Sequence, residues 1–238
     1  MKKVTYLVFA IVLFGLQLSY SQTTSVHKDN IHIGILGGMN VAMMNIPNQS
    51  SDDQDISNLL VYGGGLTFNV RFSENIFARI EPMYLQKGTT IKEGADAANQ
   101  PEGKIKLSSI EIPIMIQYSF GNDISPFLVG GPYLGYNLKS DIEFELTGLE
   151  FTGDMKEVTE TFDFGLTFGG GLQIPMNFGM LFLEGRYSFG LINQMKGGTT
   201  TLKSNILEFD LISDKEEDKY TNRGFQILAG ITIPLGNN

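Results

Sequence analysis

The sequence predicts an all-β protein, an eight-stranded antiparallel up-and-down β-barrel. Between residues 60 and 88, apolar positions alternate with small or polar ones on both sides of a short turn at residues 73–75, which is the pattern of a β-hairpin. Similar alternating segments recur along the rest of the chain. The connections between them are long and short in strict alternation, which is typical of an up-and-down barrel with an even number of strands.

Eight segments carry the alternation, and each is bounded by turn residues or a polar loop. They are residues 31–40, 60–72, 76–88, 105–120, 126–138, 159–174, 180–191 and 224–235. Isoleucine, leucine and aromatic side chains occupy one face of these strands, whereas glycine, threonine, serine, asparagine and glutamine dominate the other. The strand at 126–138 has the weakest alternation, and its pattern does not decide which face is apolar.

The connections complete this outline. The four long ones are residues 43–58, 88–103, 139–158 and 194–222. The connection at 139–158 is partly apolar, and we expect it to extend its flanking strands, whereas the other three are polar. The short ones are turns rich in Gly, Asn, Pro and Ser, which favour chain reversal. The longest connection, residues 194–222, has the composition of a polar surface loop. We therefore expect that its deletion leaves a folded barrel.

The polar face carries few charges, and their signs balance. These candidate interior residues are Arg71, Arg79, Glu81, Lys87, Glu111, Asp163, Glu184 and Arg186. Side chains just fill the interior of an eight-stranded barrel, so charges that point inward must pair. Aromatic residues near several strand ends fit the girdles found at membrane interfaces. We therefore predict a transmembrane barrel with four long outer loops, an apolar face toward lipid and a structural ion network inside.

The N-terminus has the features of a secretory signal peptide. A basic start precedes an apolar run over residues 4–18, and a small-x-small cleavage site ends at Ser21. We predict a signal peptide at residues 1–21, an N-terminal tail at 22–30 and a barrel domain at 31–238. Together these features predict a monomer in the bacterial outer membrane, in contact with outer-membrane lipid.

The composition argues against several function classes. The net charge of −9 disfavours nucleic acid as a partner, and the absence of cysteine excludes disulfides and thiolate metal sites. The two histidines, His27 and His32, are not part of any Ser–His–acid spacing. The acidic loop with Asp53 and Asp55 lacks the glycine and the glutamate of a calcium loop. We predict a protein that is not an enzyme and has no cofactor or metal site.

Several short motifs occur in an order and spacing that a known family shares. They are Glu81-Pro82-Met83-Tyr84, Ile110-Glu111-Ile112-Pro113, Gly130-Gly131-Pro132, Asp163-x-Gly165 and Arg186-Tyr187. In these residues the chain resembles the PorT-type outer-membrane β-barrel family of Bacteroidota. The resemblance implies an OmpA- or OmpX-like eight-stranded barrel. One branch of that family assists the secretion of proteins to the cell surface.

The sequence favours a non-enzymatic outer-membrane protein with an envelope-structural, adhesion or interaction role. A protein partner would bind at the extracellular loops. Two alternatives stay open at this point. The first is a PorT-like accessory of protein secretion or a route for small solutes. The second is a soluble periplasmic ligand-binding barrel, in which the apolar face would line the interior.

Overall fold

The computed structural model describes residues 31–45, 54–93, 102–121, 124–146, 149–205, 208–213 and 220–235. The predicted signal peptide and N-terminal tail lie outside these residues. The strands are β1 (Ile31–Asn45), β2 (Gln54–Ser57), β3 (Leu59–Arg71), β4 (Ile76–Ile80), β5 (Met83–Glu93), β6 (Glu102–Ser119), β7 (Ser125–Leu146), β8 (Leu149–Asp154), β9 (Phe162–Met176), β10 (Gly179–Gly190), β11 (Gly198–Lys203), β12 (Glu208–Ser213) and β13 (Thr221–Pro234). In the described ranges, no helix is long and apolar enough to cross a membrane.

The strands close into one antiparallel ring. β1 pairs with β3 on one side and with β13 on the other, so the first and last strands are hydrogen-bonded neighbours. From β3 the ring continues through β4 and β5, then β6, β7, β9 and β10, and returns to β13. β4 and β5 share one position, because Pro82 lacks an N–H group and interrupts a single strand. The predicted all-β antiparallel barrel is confirmed.

The barrel has its apolar side chains outside and its polar side chains inside. Ile35, Tyr62 and Phe168 are 60%, 61% and 52% exposed, whereas Thr67 and Gln117 in the inward rows are at most 1% exposed. Lipid tails, and not water, stabilise an outer surface of this kind. The alternative of a soluble barrel with an apolar interior is therefore wrong.

The structure also explains the weak alternation in β7. Phe127, Val129 and Tyr133 point into the barrel and are almost fully buried, while Leu128 and Leu134 lie on its outer surface. Two of the inward residues belong to an apolar layer in the lumen, made of Leu36, Met83, Leu85, Met115, Phe127, Val129, Phe182 and Leu228. Because both faces of β7 carry large apolar side chains, the sequence shows no contrast between them.

Several strands continue past the lipid-facing band at the end opposite the short turns. β7 is 22 residues long, and its outer part pairs with β6 on one side and with β8 on the other. β8 in turn pairs with β11, β11 pairs with β12, and β2 pairs with β5. The expectation that residues 139–158 extend a flanking strand is confirmed for β7, which runs to Leu146. The prediction of a loop at residues 194–222 is wrong in part, since β11 and β12 occupy much of it.

The two ends of the barrel differ in their connections. Ile31 and Leu235 lie at the end with the short turns, where the Leu235 amide donates a hydrogen bond to the Ile31 carbonyl (2.8 Å). Outer-membrane barrels place short turns in the periplasm and long connections outside. The outer part of β7 and strands β2, β8, β11 and β12 are therefore assigned to the extracellular side, and we call this region the extracellular sheet.

Candidate functional site

Four of the predicted interior residues form a closed ring of ion pairs. Arg79 and Arg186 each contact both Glu81 and Glu184. The Arg79–Glu184 and Arg186–Glu81 nitrogen–oxygen distances are 2.9 and 2.7 Å, and all four residues are at most 1% exposed. Arg79 and Glu81 lie at the end of β4, whereas Glu184 and Arg186 lie on β10. The ring therefore crosses the lumen between two strands that are not neighbours in the sheet. Its net charge is zero, which compensates the buried charges.

The Arg79 side chain makes contacts with three further residues, Gln117, Phe127 and Phe182. Its guanidinium group donates a hydrogen bond to the Gln117 side chain (3.0 Å). The guanidinium carbon also lies 5.6 Å and 5.2 Å from the ring centres of Phe127 and Phe182, within the range of cation–π attraction. The ion-pair ring therefore adjoins the apolar layer, and both fix the same side chain.

A second cluster surrounds Lys87 on β5. The ammonium nitrogen lies 2.5 Å from a Glu111 oxygen on β6 and 2.9 Å from an Asp163 oxygen on β9. The same nitrogen lies 4.6 Å from the ring centre of Tyr133, whose hydroxyl donates a hydrogen bond to Asp163 (3.4 Å). The Lys87–Asp163 contact is a charge-assisted hydrogen bond, which is among the stronger polar contacts in proteins, whereas the Lys87–Glu111 contact is an ion pair. The Lys87 cluster therefore joins strands β5, β6, β7 and β9 inside the barrel.

Sequence reasoning missed two residues of this cluster, Gln194 and Asn222. Their side-chain amides donate hydrogen bonds to the two Asp163 oxygens at 3.2 and 3.0 Å. Asn222 could have been found, because it continues the inward-facing row of β13. Gln194 follows the end of β10 and shows no periodic signal. Since both lie within the 194–222 connection, that connection takes part in the interior and is not a detached surface loop.

Arg71 lies outside both clusters. Its guanidinium carbon is 5.1 Å from the ring centre of Phe77, the residue opposite it on β4. Within the described part of the chain, its Nε atom has no hydrogen-bond partner. Arg71 ends β3 at the periplasmic side. The structure therefore brings seven of the eight predicted interior residues into two clusters and leaves Arg71 apart.

Apolar side chains fill the barrel above the Lys87 cluster. They are Met44, Ile105, Leu107, Met155 and Val158. On β6, the inward row runs from Glu111 through Ser109 to Leu107 and Ile105, which places this apolar group on the extracellular side of the ion pairs. The backbone amide of Lys196 donates a hydrogen bond to the Val158 carbonyl (2.9 Å) and so ties two connecting segments together here.

The extracellular sheet, together with the outer part of β6 that pairs with β7, has one strongly charged outer face. Its charged side chains on β6, β7, β8, β11 and β12 are Lys104, Lys106, Lys139, Asp141, Glu143, Glu145, Glu150, Asp154, Lys203, Glu208 and Asp210. The Lys106–Glu143, Lys139–Asp141 and Lys203–Glu208 ion pairs are 2.6, 2.7 and 3.0 Å long. The carboxylates outnumber the lysines, so the face is acidic.

Two cross-strand pairs on this face bring like charges together. Asp141 stands opposite Asp154, and Glu145 stands opposite Glu150, in the β7–β8 register. Like charges directly opposite each other destabilise a sheet. Lys139 partly offsets the first pair, and its hydrogen bond to Asp141 raises the pKa of its ammonium group. A groove of about 600 Å³ runs over the same face between β7, β8 and β11.

The described residues show no cluster for metal chemistry. Among them, no group of three or more His, Cys, Asp or Glu side chains is arranged to hold a metal ion. His32 is buried on β1 close to the periplasmic end. The chemically distinctive features of the described chain are therefore the ion clusters in the lumen and the charged extracellular face.

A closed β-barrel with an apolar outside and an ion-paired polar inside has the architecture of the bacterial outer-membrane β-barrel proteins. Residues 20–196 match the family model described as "Outer membrane protein beta-barrel domain", and the chain belongs to this family. A comparison with curated protein sequences gives no match. The family and the lipid-facing surface together place the protein in the bacterial outer membrane.

Several solved outer-membrane structures are similar to the chain at low identity. Ail, the attachment invasion locus protein of Yersinia pestis, is 13% identical, with 86% of this chain and 99% of that chain covered and a TM-score of 0.41. OprG from Pseudomonas aeruginosa is 12% identical, with coverages of 88% and 98% and a TM-score of 0.45. The outer membrane protease OmpT from Escherichia coli is 10% identical, with coverages of 90% and 99% and a TM-score of 0.38.

Proposed function

We propose that this protein is a non-enzymatic, monomeric component of the outer membrane that acts through its extracellular sheet in adhesion or in binding another protein. The observation that carries the proposal is the extension of the barrel sheet beyond the lipid-facing band. β7 continues to Leu146, and β8, β11 and β12 add to its edge by regular pairing. Regular pairing gives this region a defined surface, and a defined surface suits recognition.

The chemistry of that surface favours a basic partner. Seven carboxylates and four lysines lie on the charged face, and three of the lysines are already paired with carboxylates of the same face. Glu145 and Glu150 stand opposite each other and are both exposed. A lysine- or arginine-rich segment of a partner would relieve this repulsion. The groove between β7, β8 and β11 is open to such a segment.

The experiment is chemical cross-linking on intact cells with a carbodiimide, which couples carboxylates to nearby lysines, followed by mass spectrometry. We expect cross-links from Glu145 or Glu150 to a protein of the cell surface or of the surroundings. The variant with Glu145→Gln and Glu150→Gln should lose them, while Lys203→Gln serves as a control on the same face. Cross-links confined to periplasmic components of a secretion apparatus would contradict this proposal and favour the secretion accessory instead.

A further inference from the structure

A small cavity lies inside the barrel between the Lys87 cluster and the seam where β1 meets β13. Its volume is about 10 Å³, and its lining includes Asn40, Leu85, Lys87, Asn222 and Gln226. Asn40 and Gln226 are directly opposite each other across the seam. A cavity of this size holds about one water molecule, provided that two to four polar partners surround it. Whether the cavity can hold water therefore depends on the polar atoms that line it.

Three side-chain amides around this cavity use their nitrogen atoms elsewhere. The Nδ2 of Asn40 donates to the Gln86 carbonyl (2.8 Å), the Nδ2 of Asn222 donates to Asp163 (3.0 Å), and the Nε2 of Gln226 donates to the Ser188 hydroxyl (3.4 Å). These bonds fix the orientation of each amide. The opposite end of each amide, a carbonyl oxygen, is then left to find its own hydrogen-bond donor.

These three oxygens have no donor among the described residues. The Oδ1 of Asn40, the Oδ1 of Asn222 and the Oε1 of Gln226 are all buried and without a hydrogen-bond partner there, and the three residues are at most 2% exposed. A buried carbonyl oxygen without a donor is unfavourable, so native structures rarely keep one. Three of them around one cavity indicate a ligand that donates hydrogen bonds.

The lining also includes the Lys87 ammonium, beside the side chains of Tyr133, Ser188 and Arg223. The ammonium carries three N–H bonds, and Glu111 and Asp163 take up two of its directions. The third can point to an acceptor in the cavity. A positive charge at this position also repels a metal cation. The ligand must therefore both accept one hydrogen bond and donate others, and it must be uncharged.

We propose that this cavity binds one water molecule, which accepts a hydrogen bond from Lys87 and donates to two of the three carbonyl oxygens. Gly224 keeps space for this water molecule, because a Cβ atom at this position would lie 2.5 Å from the Asn40 Oδ1. The water connects the seam strands β1 and β13 with the ion cluster held by β5, β6 and β9. It is an internal ligand that stabilises the pairing of β1 with β13, where the barrel closes.

The test is proton-detected solid-state NMR of the full barrel in lipid bilayers, measuring magnetisation transfer from water to side-chain amides. We expect transfer to the amides of Asn40, Asn222 and Gln226. The amide of Gln117 is the internal control, because it is buried and its nitrogen and oxygen both have protein partners. Absence of transfer at all three cavity amides, or equal transfer at Gln117, would overturn the proposal.

Two further measurements separate this water from other occupants. Replacing Gln226→Met keeps the side-chain size and removes one acceptor, so transfer to Asn40 should fall while transfer to Gln117 stays unchanged. If this variant does not fold, the comparison within the wild-type protein still decides. Exchanging sodium chloride for choline chloride should leave the three amide chemical shifts unchanged. Shifts that follow the sodium concentration would show a cation site and would also overturn the proposal.

Discussion

At the residue scale, the ion-pair ring of Arg79, Glu81, Glu184 and Arg186 serves as part of the protein core. An ion pair in water contributes little, because solvent screens both charges. In the lumen each carboxylate instead faces two guanidinium groups with almost no solvent access. Removal of one charge therefore leaves its partners buried and uncompensated.

The first prediction concerns Glu81. Replacing Glu81→Gln should lower the free energy of unfolding by about 3–5 kcal/mol, because Arg79 and Arg186 each lose a buried counter-charge. Urea unfolding in lipid vesicles, followed by circular dichroism, measures the change. The matched control is Lys106→Gln, which removes an ion pair whose side chains are 44% and 46% exposed, and it should cost less than about 1 kcal/mol. Equal losses in the two variants would contradict a core role for the ring.

The second prediction concerns Arg71 and Arg79. Replacing Arg71→Met should cost about 1 kcal/mol, since the contact that it loses among the described residues is the cation–π contact with Phe77. Replacing Arg79→Met should cost about 3–5 kcal/mol, because two carboxylates remain buried without it. The same unfolding measurement compares them. A larger loss for Arg71 would show that it belongs to a cluster that the contacts of the described residues do not reveal.

At the element scale, the connection between β10 and β13 has two parts with different roles. Its inner ends carry Gln194 and Asn222, which bind Asp163 inside the barrel. Its middle forms β11 and β12, which lie in the extracellular sheet. The expectation that deletion of the whole connection leaves a folded barrel therefore needs revision, because removal would take away two interior hydrogen bonds.

The third prediction compares two deletions. Removing residues 198–213 should leave a barrel that still changes its gel mobility on boiling, because both Asp163 contacts remain. Removing residues 194–222 should weaken or abolish this heat-dependent shift. The urea midpoint of each deletion variant in lipid vesicles gives the quantitative comparison. If both deletions preserve the same midpoint, then Gln194 and Asn222 do not stabilise the barrel.

At the scale of the whole molecule, side chains pack much of the lumen in the described part of the chain. They form the ion-pair ring, the apolar layer that adjoins it, the Lys87 cluster and the outer apolar group. An eight-stranded barrel has an interior that side chains can fill completely. Such an interior supports a structural or surface role better than transport.

The fourth prediction is electrical. In planar lipid bilayers the wild-type protein should show no stable conductance above the protein-free membrane, because packed side chains occupy the described part of the lumen. The folded state in the sample is checked by its mobility shift on boiling. Steady conductance by the folded protein would show that the packed lumen does not block ions, and it would favour the alternative of a route for small solutes.

Much of the architecture was predictable because its signal is local. The period of two along 105–120 and 180–191 marks strands, and the polar rows with balanced charges identify the inside of a membrane barrel. The facing of strand 126–138 could not be predicted for a physical reason. Phe127 and Val129 belong to an apolar layer inside the barrel, while Leu128 faces lipid. Strands β11 and β12 were missed as well, because their polar residues resemble those of a solvated loop.

The sequence by itself determined that this chain is an outer-membrane barrel, since alternation and charge balance depend only on neighbouring residues. The tertiary structure alone decided which charges meet, because contacts across a lumen depend on how the ring closes and how its strands are staggered. Glu81 and Arg186 are 105 residues apart and still share a hydrogen bond. For the same reason, only the closed ring brings Asn40 and Gln226 beside Lys87 at the seam.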